Sequence, residues 1–188
     1  QVEFDVQLSA DGVPVVFHDA TLDRMTDGAG PLAERTLADL KALRLAQGGG
    51  PILTLDETLE ILCPSTLTLR CEIKPGPGMA PYPGIVERAL SAFARRDLLA
   101  RTVITSFHLP TLGTAGAAAT PPAGRIWLVA TPVLKLLSAR HVAAAARREG
   151  VGDIAVRLAD LDEAALAQLR GDGLAVGAYG VLEDSEIA

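Results

Sequence analysis

Two carboxylates and an imidazole occur close together near the start of the sequence. Glu3 and Asp5 are separated by one residue in VEFDVQL, and His18 follows in VPVVFHD. Because alternate side chains of a β-strand point to the same face, the two carboxylates would lie side by side. Neighbouring carboxylates repel each other unless something neutralises them, and a hard divalent cation is the usual solution. The segment therefore predicts a metal-binding strand beside a histidine.

A second strand pattern, TLRCEIK, carries Glu72 and Lys74 on one side. Its odd-numbered residues are apolar and its even-numbered residues are polar, as in a strand with one polar face. Since adjacent strands of a barrel present their carboxyl ends together, Glu72 would supply a third oxygen ligand. Three acidic groups, a histidine and a lysine at one barrel mouth suit a phosphate ester held by a metal and a cation.

Each of these residues also has an ordinary structural interpretation. Glu3 and Asp5 would serve equally as solvated residues at a strand end, and a single histidine is more often structural than catalytic. Asp19 would then simply orient His18, and Lys74 would be an exposed lysine. The joint pattern, rather than any one residue, favours the functional interpretation.

The dipeptide Asp-Gly between two apolar runs predicts a β-hairpin that folds His18 back toward the carboxylates. A two-residue loop at 11–12 would place His18 opposite Asp5, and a loop at 10–11 would place it opposite Glu3. A three-residue loop would reverse the faces. In both two-residue registers the acidic residues and His18 share one face, and the other face is formed by Phe4, Val6, Val15 and Phe17.

Short apolar runs alternate with helical patterns, which is typical of βαβ units and a parallel sheet. The predicted strands are 2–8, 66–73, 102–106, 125–130, 153–158 and 174–180. The predicted helices are 37–45, 55–62, 83–96, 109–118, 138–149 and 162–170. The sequence lacks the GxGxxG and GxxxxGK[ST] patterns. With the polar face of TLRCEIK, this favours one (β/α)8 barrel domain over residues 1–188, with the first and last strands absent and EDSEIA opening a further helix.

Composition narrows the possible partners. Of 188 residues, 49% are hydrophobic and the formal net charge is -6, so we expect a globular protein without a nucleic-acid-binding surface. A small phosphorylated ligand needs only one local cationic site. No apolar stretch approaches a membrane span, and a cytoplasmic location is the starting expectation. We expect the two cysteines, Cys63 and Cys71, to be small buried hydrophobic residues.

Several segments together resemble the glycerophosphodiester phosphodiesterase family: VEFDVQLSADGVPVVFHDATLDRMTDGAG, TLDETLEIL, LRCEIKP and VITSF. The resemblance implies a TIM barrel that hydrolyses glycerophosphodiesters to glycerol 3-phosphate and an alcohol. It implies that Mg²⁺ or Ca²⁺ is bound by Glu3, Asp5 and Glu72. It also implies that His18 is one of two acid/base histidines and that Lys74 contacts the phosphate or a metal-bound ligand oxygen.

Two departures from the family pattern affect these expectations. The family's H-R-G segment, with the other histidine and a phosphate-binding arginine, is absent from the sequence, and we expect it in the intact polypeptide. Near the end, Tyr179 stands where the family has a tryptophan at the substrate pocket, and Leu182 where asparagine is common. A tyrosine can still stack on a ligand, so Tyr179 is a candidate substrate-binding residue, but the polar contact is lost.

Two other functions remain open. One is a barrel that binds a phosphorylated ligand without cleaving it, and the other is a related phosphodiesterase acting on lysophospholipid or sphingomyelin. Among the remaining candidates, we expect His108 to help start a helix and Trp127 to fill the core. We expect His141 to lie on a surface or packing face of an Ala-rich helix.

Overall fold

The computed structural model describes residues 1–180 as seven strands and seven helices connected by loops and short 3₁₀ turns. The strands are β1 (Val2–Leu8), β2 (Pro14–Val16), β3 (Leu69–Ile73), β4 (Thr102–Ser106), β5 (Gly124–Val129), β6 (Asp153–Arg157) and β7 (Ala175–Tyr179). The helices are α1 (Leu37–Ala42), α2 (Leu55–Leu62), α3 (Ile85–Ala94), α4 (Leu109–Gly116), α5 (Thr131–Leu136), α6 (Ala139–Arg148) and α7 (Glu163–Gly171). The expectations for Leu182 and for EDSEIA lie outside the described residues.

The strands form one sheet in the order β2-β1-β3-β4-β5-β6-β7. All neighbouring pairs are parallel except β1 with β2, which form the predicted antiparallel hairpin. Parallel neighbours require crossover connections, and here helices supply them between successive parallel strands. The order and the crossovers confirm an α/β fold built as part of a (β/α) barrel.

The main core lies between the sheet and the helices. On β3, alternate side chains Leu69, Cys71 and Ile73 are at most 1% exposed and contact this layer. Residues on the intervening positions, such as Glu72, point to the opposite side, which is the inside of the barrel. Fully burying a Leu or Ile side chain contributes about 1.5–3 kcal/mol, so this one-sided core fixes which face of each strand points inward.

A second, smaller core anchors the long connection between β2 and α2. Its buried members are Val15, Phe17, Leu22, Leu32, Leu40 and Ile52. The connection begins with the His18 segment, and Val16 N–H donates to the Leu53 carbonyl at 2.8 Å. The segment that carries the histidine is therefore packed by its own hydrophobic cluster at the edge of the sheet.

The hairpin has a three-residue loop, so both predicted two-residue registers are wrong. Ser9 N–H donates to the Val13 carbonyl at 3.0 Å, and Val6 pairs with Val16. The Ser9 hydroxyl donates to Asp11 at 2.6 Å, and Gly12 adopts φ +79°, a left-handed conformation that suits glycine. The extra residue reverses the faces, so Val15 and Phe17 belong to the second core rather than to the layer of Phe4 and Val6.

The predicted helices are all present with ends within a few residues, and a capping box formed by Thr54 and Glu57 starts α2. Helix α5 was not predicted, because its six residues follow β5 directly and include a proline in the first turn. Cys71 is buried as expected, but Cys63 is exposed because it caps the surface end of α2.

Within residues 1–180, the structure contains no helix that is long and apolar enough to cross a bilayer.

Candidate active site

Three carboxylates meet on the inner face of the barrel at β1 and β3. The parallel register places Asp5 directly beside Glu72, and Glu3 lies one pleat earlier on the same face of β1. One oxygen from each of Glu3, Asp5 and Glu72 lies within 4.8 Å of the others. Oxygen ligands from carboxylates are what hard divalent cations such as Mg²⁺ and Ca²⁺ prefer. The structure thus brings together the predicted ligand set, and strand register alone accounts for it.

Lys74, directly after β3, lies against two of these carboxylates. Its Nζ is 2.8 Å from Asp5 Oδ1 and 2.8 Å from Glu72 Oε1. Its backbone N–H donates to the Val6 carbonyl at 3.0 Å, which extends the sheet and fixes the start of the side chain. A primary ammonium at this position partly neutralises the cluster and also faces a neighbouring cavity described below.

Glu72 Oε1 is buried and, among the described residues, receives no hydrogen bond of good geometry. Lys74 Nζ lies 2.8 Å from this oxygen and forms an ion pair with it. Buried carboxylate oxygens are normally well satisfied, and an incompletely satisfied one needs an explanation. A divalent cation between the three carboxylates would supply the missing contact, so the residues present fit a metal ion.

The electrostatics of the cluster show the same excess of negative charge. Burial, followed by the charges of Asp5 and Glu72, raises the pKa of Glu3 above its ordinary value. Burial is also the largest cause that raises the pKa of Glu72, although Lys74 opposes it. The pKa of Lys74 is raised because its contacts with the two carboxylates outweigh burial, which by itself would lower it. Each shift follows from charges held in partly desolvated surroundings.

His18 lies beyond the end of β2 and is oriented by a neighbouring ion pair. Its Nδ1 lies 2.6 Å from Asp19 Oδ1, and Arg24 contacts both oxygens of Asp19 through Nε and Nη2, each at 2.7 Å. Hydrogen bonds from Arg24, and then from His18, hold the pKa of Asp19 well below its usual range. An ionised Asp19 accepts a hydrogen bond from Nδ1–H of His18 and leaves Nε2 free to act on a ligand.

Gln7 connects the strand that carries Glu3 and Asp5 to the His18 turn. Its Nε2 donates to the carbonyl of Phe17 at 2.8 Å, of His18 at 3.3 Å and of Asp19 at 2.9 Å. Sequence reasoning did not single out Gln7. The available signal was its spacing, since Gln7 continues the alternate positions of Glu3 and Asp5 along β1.

A cavity of about 450 Å³ lies between the His18 segment and the loop after β3. His18 and Lys74 both line this cavity, so a ligand placed in it would meet the imidazole and the ammonium together. Its apolar walls include Pro31, Ala33 and Met79. Lys74 also contacts the carboxylate cluster, so this residue borders both the cavity and the candidate metal site.

Tyr179 lies on β7, where its ring packs edge to face on Phe107 with centroids 5.7 Å apart. Its hydroxyl donates to the Val129 carbonyl at 3.0 Å, and burial raises its pKa. Tyr179 does not line the 450 Å³ cavity. The proposed contact between Tyr179 and substrate therefore stays a prediction.

The lesser sequence candidates have structural positions. His108 is the residue before α4, and its Nδ1 lies 2.9 Å from Thr111 Oγ1 in the first turn. Trp127 is 5% exposed in the main core, with its indole N–H donated to the Phe107 carbonyl at 3.2 Å. His141 is exposed beside Ser138 on α6. These placements agree with the expectations for all three residues.

Similar proteins are found both by sequence and by fold. A glycerophosphodiester phosphodiesterase of Caldanaerobacter subterraneus subsp. tengcongensis is 36% identical over 113 residues, which is 57% of this chain and 46% of the relative. The chain thus matches less than half the length of that curated relative.

Two solved structures resemble the whole described fold. A protein from Agrobacterium tumefaciens, provisionally described as a glycerophosphoryl diester phosphodiesterase, superposes with a TM-score of 0.91 and 35% identity, covering 100% of this chain and 75% of that one. An Oleispira antarctica phosphodiesterase in complex with the product sn-glycerol-3-phosphate gives a TM-score of 0.79 and 25% identity, covering 98% and 74% of the two chains.

The glycerophosphoryl diester phosphodiesterase family matches this sequence over residues 1–188. The match includes the strand with Glu3 and Asp5, the His18 segment and the strand with Glu72. The sequence motifs, the parallel sheet with its main core on the helix side and the family match agree with one another. The chain belongs to the glycerophosphoryl diester phosphodiesterase family.

Proposed function

We propose that the intact protein hydrolyses glycerophosphodiesters to glycerol 3-phosphate and an alcohol, with one divalent cation bound by Glu3, Asp5 and Glu72. The observation that carries this proposal is the convergence of three carboxylate oxygens within 4.8 Å beside Lys74. The Oleispira antarctica phosphodiesterase, whose structure was solved in complex with the product sn-glycerol-3-phosphate, supports the choice of product. Mg²⁺ and Ca²⁺ are the cations that this all-oxygen set suits best.

The residues divide the chemical task between charge and proton transfer. A bound cation would stabilise negative charge on the phosphate oxygens, and the Lys74 ammonium would do the same from the cavity side. When the bond between phosphorus and the alcohol oxygen breaks, that oxygen needs a proton, and His18 Nε2 donates it. A water molecule, or first the substrate's own glycerol hydroxyl with water opening the resulting cyclic phosphate, forms the new bond to phosphorus. The attacking hydroxyl group loses its proton to the second family histidine expected in an H-R-G segment.

Asp19 and Arg24 support the proton transfer from His18. An imidazole that donates from Nε2 must keep its Nδ1–H in a fixed direction, and ionised Asp19 accepts a hydrogen bond from Nδ1, with 2.6 Å between Nδ1 and Oδ1. The two contacts from Arg24 prevent Asp19 from rotating away. The imidazole is therefore oriented before a substrate binds.

A direct assay tests the proposed function. The intact protein should release glycerol 3-phosphate from glycerophosphocholine or glycerophosphoethanolamine when Mg²⁺, Ca²⁺, Mn²⁺ or Zn²⁺ is added, and a chelator should abolish the release. Binding of glycerol 3-phosphate without turnover of any glycerophosphodiester would instead favour the non-catalytic phosphate-binding function.

The cavity wall favours a second substrate class, lysophospholipids, for the same chemistry. Pro31, Ala33, Pro77 and Met79 form an apolar surface that begins beside His18 and Lys74. An acyl chain would bury apolar surface there, whereas a choline group gains no carboxylate partner from the residues that line the cavity. Comparing kcat/KM for a lysophospholipid with that for glycerophosphocholine decides between the two classes. A higher value for glycerophosphocholine would reject the lipid.

A further inference from the structure

We infer that Gln7 is a positioning residue that holds the acid/base histidine His18 in place, and that Tyr82 holds Gln7 in turn. This inference rests on the proposed function, because it assigns a role in the proton transfer. Gln7 is 2% exposed and makes one amide group serve three consecutive carbonyls, those of Phe17, His18 and Asp19. A single side chain thus fixes the backbone on both sides of the histidine.

The direction of these bonds matters. Within residues 1–180, the His18 side chain makes its only hydrogen bond through Nδ1 to Asp19, and this side chain is 64% exposed. Its backbone therefore decides where the imidazole lies relative to the carboxylates. Gln7 follows Asp5 by two residues on the same face of β1. Its bonds therefore fix the position of the His18 turn relative to the strand that carries the carboxylates.

Tyr82, which also lines the cavity, holds the other end of the Gln7 amide. Its hydroxyl donates to Gln7 Oε1 at 3.2 Å, which leaves the Gln7 amide nitrogen pointing at the three carbonyls. Tyr82 belongs to the loop after β3 that also begins with Lys74. Gln7 and Tyr82 therefore connect the three parts of the proposed site: the carboxylate strand, the histidine turn and the lysine loop.

The alternative is that Gln7 merely satisfies buried polar groups and stabilises the fold. A stabilising residue would change the melting temperature and affect all substrates alike. A positioning residue acts through His18, so its effect should disappear when His18 is removed. Because misplacement of a catalytic group by about 1 Å can cost about 100-fold in rate, a measurable effect on kcat is expected.

The test is a double-mutant cycle in the intact protein, using Gln7→Met, which keeps the length of the side chain and removes the amide. We expect Gln7→Met to lower kcat for glycerophosphoethanolamine by about 10–100-fold, with little change in Mg²⁺ affinity measured by calorimetry. In a His18→Ala background the same change should lower kcat by less than about threefold. Gln168→Met, on α7 far from the site, is the matched control and should leave kcat unchanged.

A substrate with an acidic leaving group provides an independent test of whether Gln7 acts through proton donation by His18. Glycerol phosphate esterified to p-nitrophenol needs little proton donation, so both His18→Ala and Gln7→Met should lose less activity on it than on glycerophosphoethanolamine. Tyr82→Phe should show the same pattern with a smaller loss, and it tests the inference if Gln7→Met fails to fold.

Full, independent losses in the His18→Ala background would overturn the inference, as would wild-type kcat for both Gln7→Met and Tyr82→Phe. Equal losses on both substrates in Gln7→Met, with a clear difference in His18→Ala, would also overturn it while leaving the proposed function intact. Failure of the wild-type protein to cleave any glycerophosphodiester would instead remove the proposed function itself.

Discussion

The carboxylate cluster and the His18 turn are positioned by different kinds of interaction. Glu3, Asp5 and Glu72 project from two paired parallel strands, so backbone hydrogen bonds of the sheet determine their spacing. His18 lies in a connection at the sheet edge and depends on side-chain bonds from Gln7 together with a small separate core. The comparison teaches that the carboxylate cluster is specified by strand register, whereas the His18 turn is specified by a few individual side chains.

The largest effect should come from Glu72→Gln. This change keeps the shape of the side chain but removes a charge, and we expect metal affinity and turnover to fall by more than about 100-fold, beyond the 10–100-fold typical of residues that only support ligands. Stability should be retained or increased, since a crowded buried carboxylate is removed. Calorimetric titration with Mg²⁺ and Ca²⁺, with thermal unfolding in a chelator, measures both quantities. Near-normal activity would exclude Glu72 from the ligand set.

His18→Ala should separate the two regions. We expect kcat to fall by about 100-fold, at the lower end of the range for acid/base catalysis, because one proton transfer is lost while charge stabilisation remains. Metal affinity should stay within about threefold of the wild type, since additivity holds for sites that share no partners. A parallel loss of metal affinity, measured by the same titration, would mean that His18 is a ligand or a structural residue.

Arg24→Met should have a smaller effect on the same region. Asp19 would keep its contact with His18 but lose both guanidinium contacts, so the imidazole would be less firmly oriented. We expect kcat to fall about tenfold. This is the lower end of the loss that is typical when a side chain supporting a functional residue is removed. Arg95→Met, which breaks an exposed ion pair with Asp56, is the control for loss of an arginine. Identical kinetics in the two variants would contradict the orienting role.

Tyr179→Phe should have the smallest effect. The aromatic contact with Phe107 is kept, and one hydrogen bond to the Val129 carbonyl is lost. We expect a loss of about 0.5–1.5 kcal/mol in the free energy of unfolding, measured with urea, and an unchanged kcat. A large rise in KM would instead support the predicted contact between Tyr179 and substrate.

The same division explains what the sequence could predict. Two rules were sufficient to bring Glu3, Asp5 and Glu72 together. Side chains alternate between the two faces of a strand, and parallel pairing places the ends of neighbouring strands side by side. The hairpin register was not predictable from the Asp-Gly signal, since the number of loop residues depends on the bonds made by Ser9 and Asp11. Gln7 was missed for a related reason, because its three acceptors are backbone carbonyls that carry no signal in the sequence.

The second core also has a consequence for the order in which the molecule forms during synthesis. Its buried members all fall between Val15 and Ile52, whereas β1 must await β3, which begins at Leu69, for its parallel partner. Contacts between residues near in sequence close faster than distant strand pairings. We expect the nascent chain to shape the histidine segment before Glu72 has left the ribosome, so the His18 turn would exist first and the cation site would be completed around it. Protection of Phe17 and Leu40 amides earlier than those of β3 in pulse-labelled hydrogen exchange would show this order.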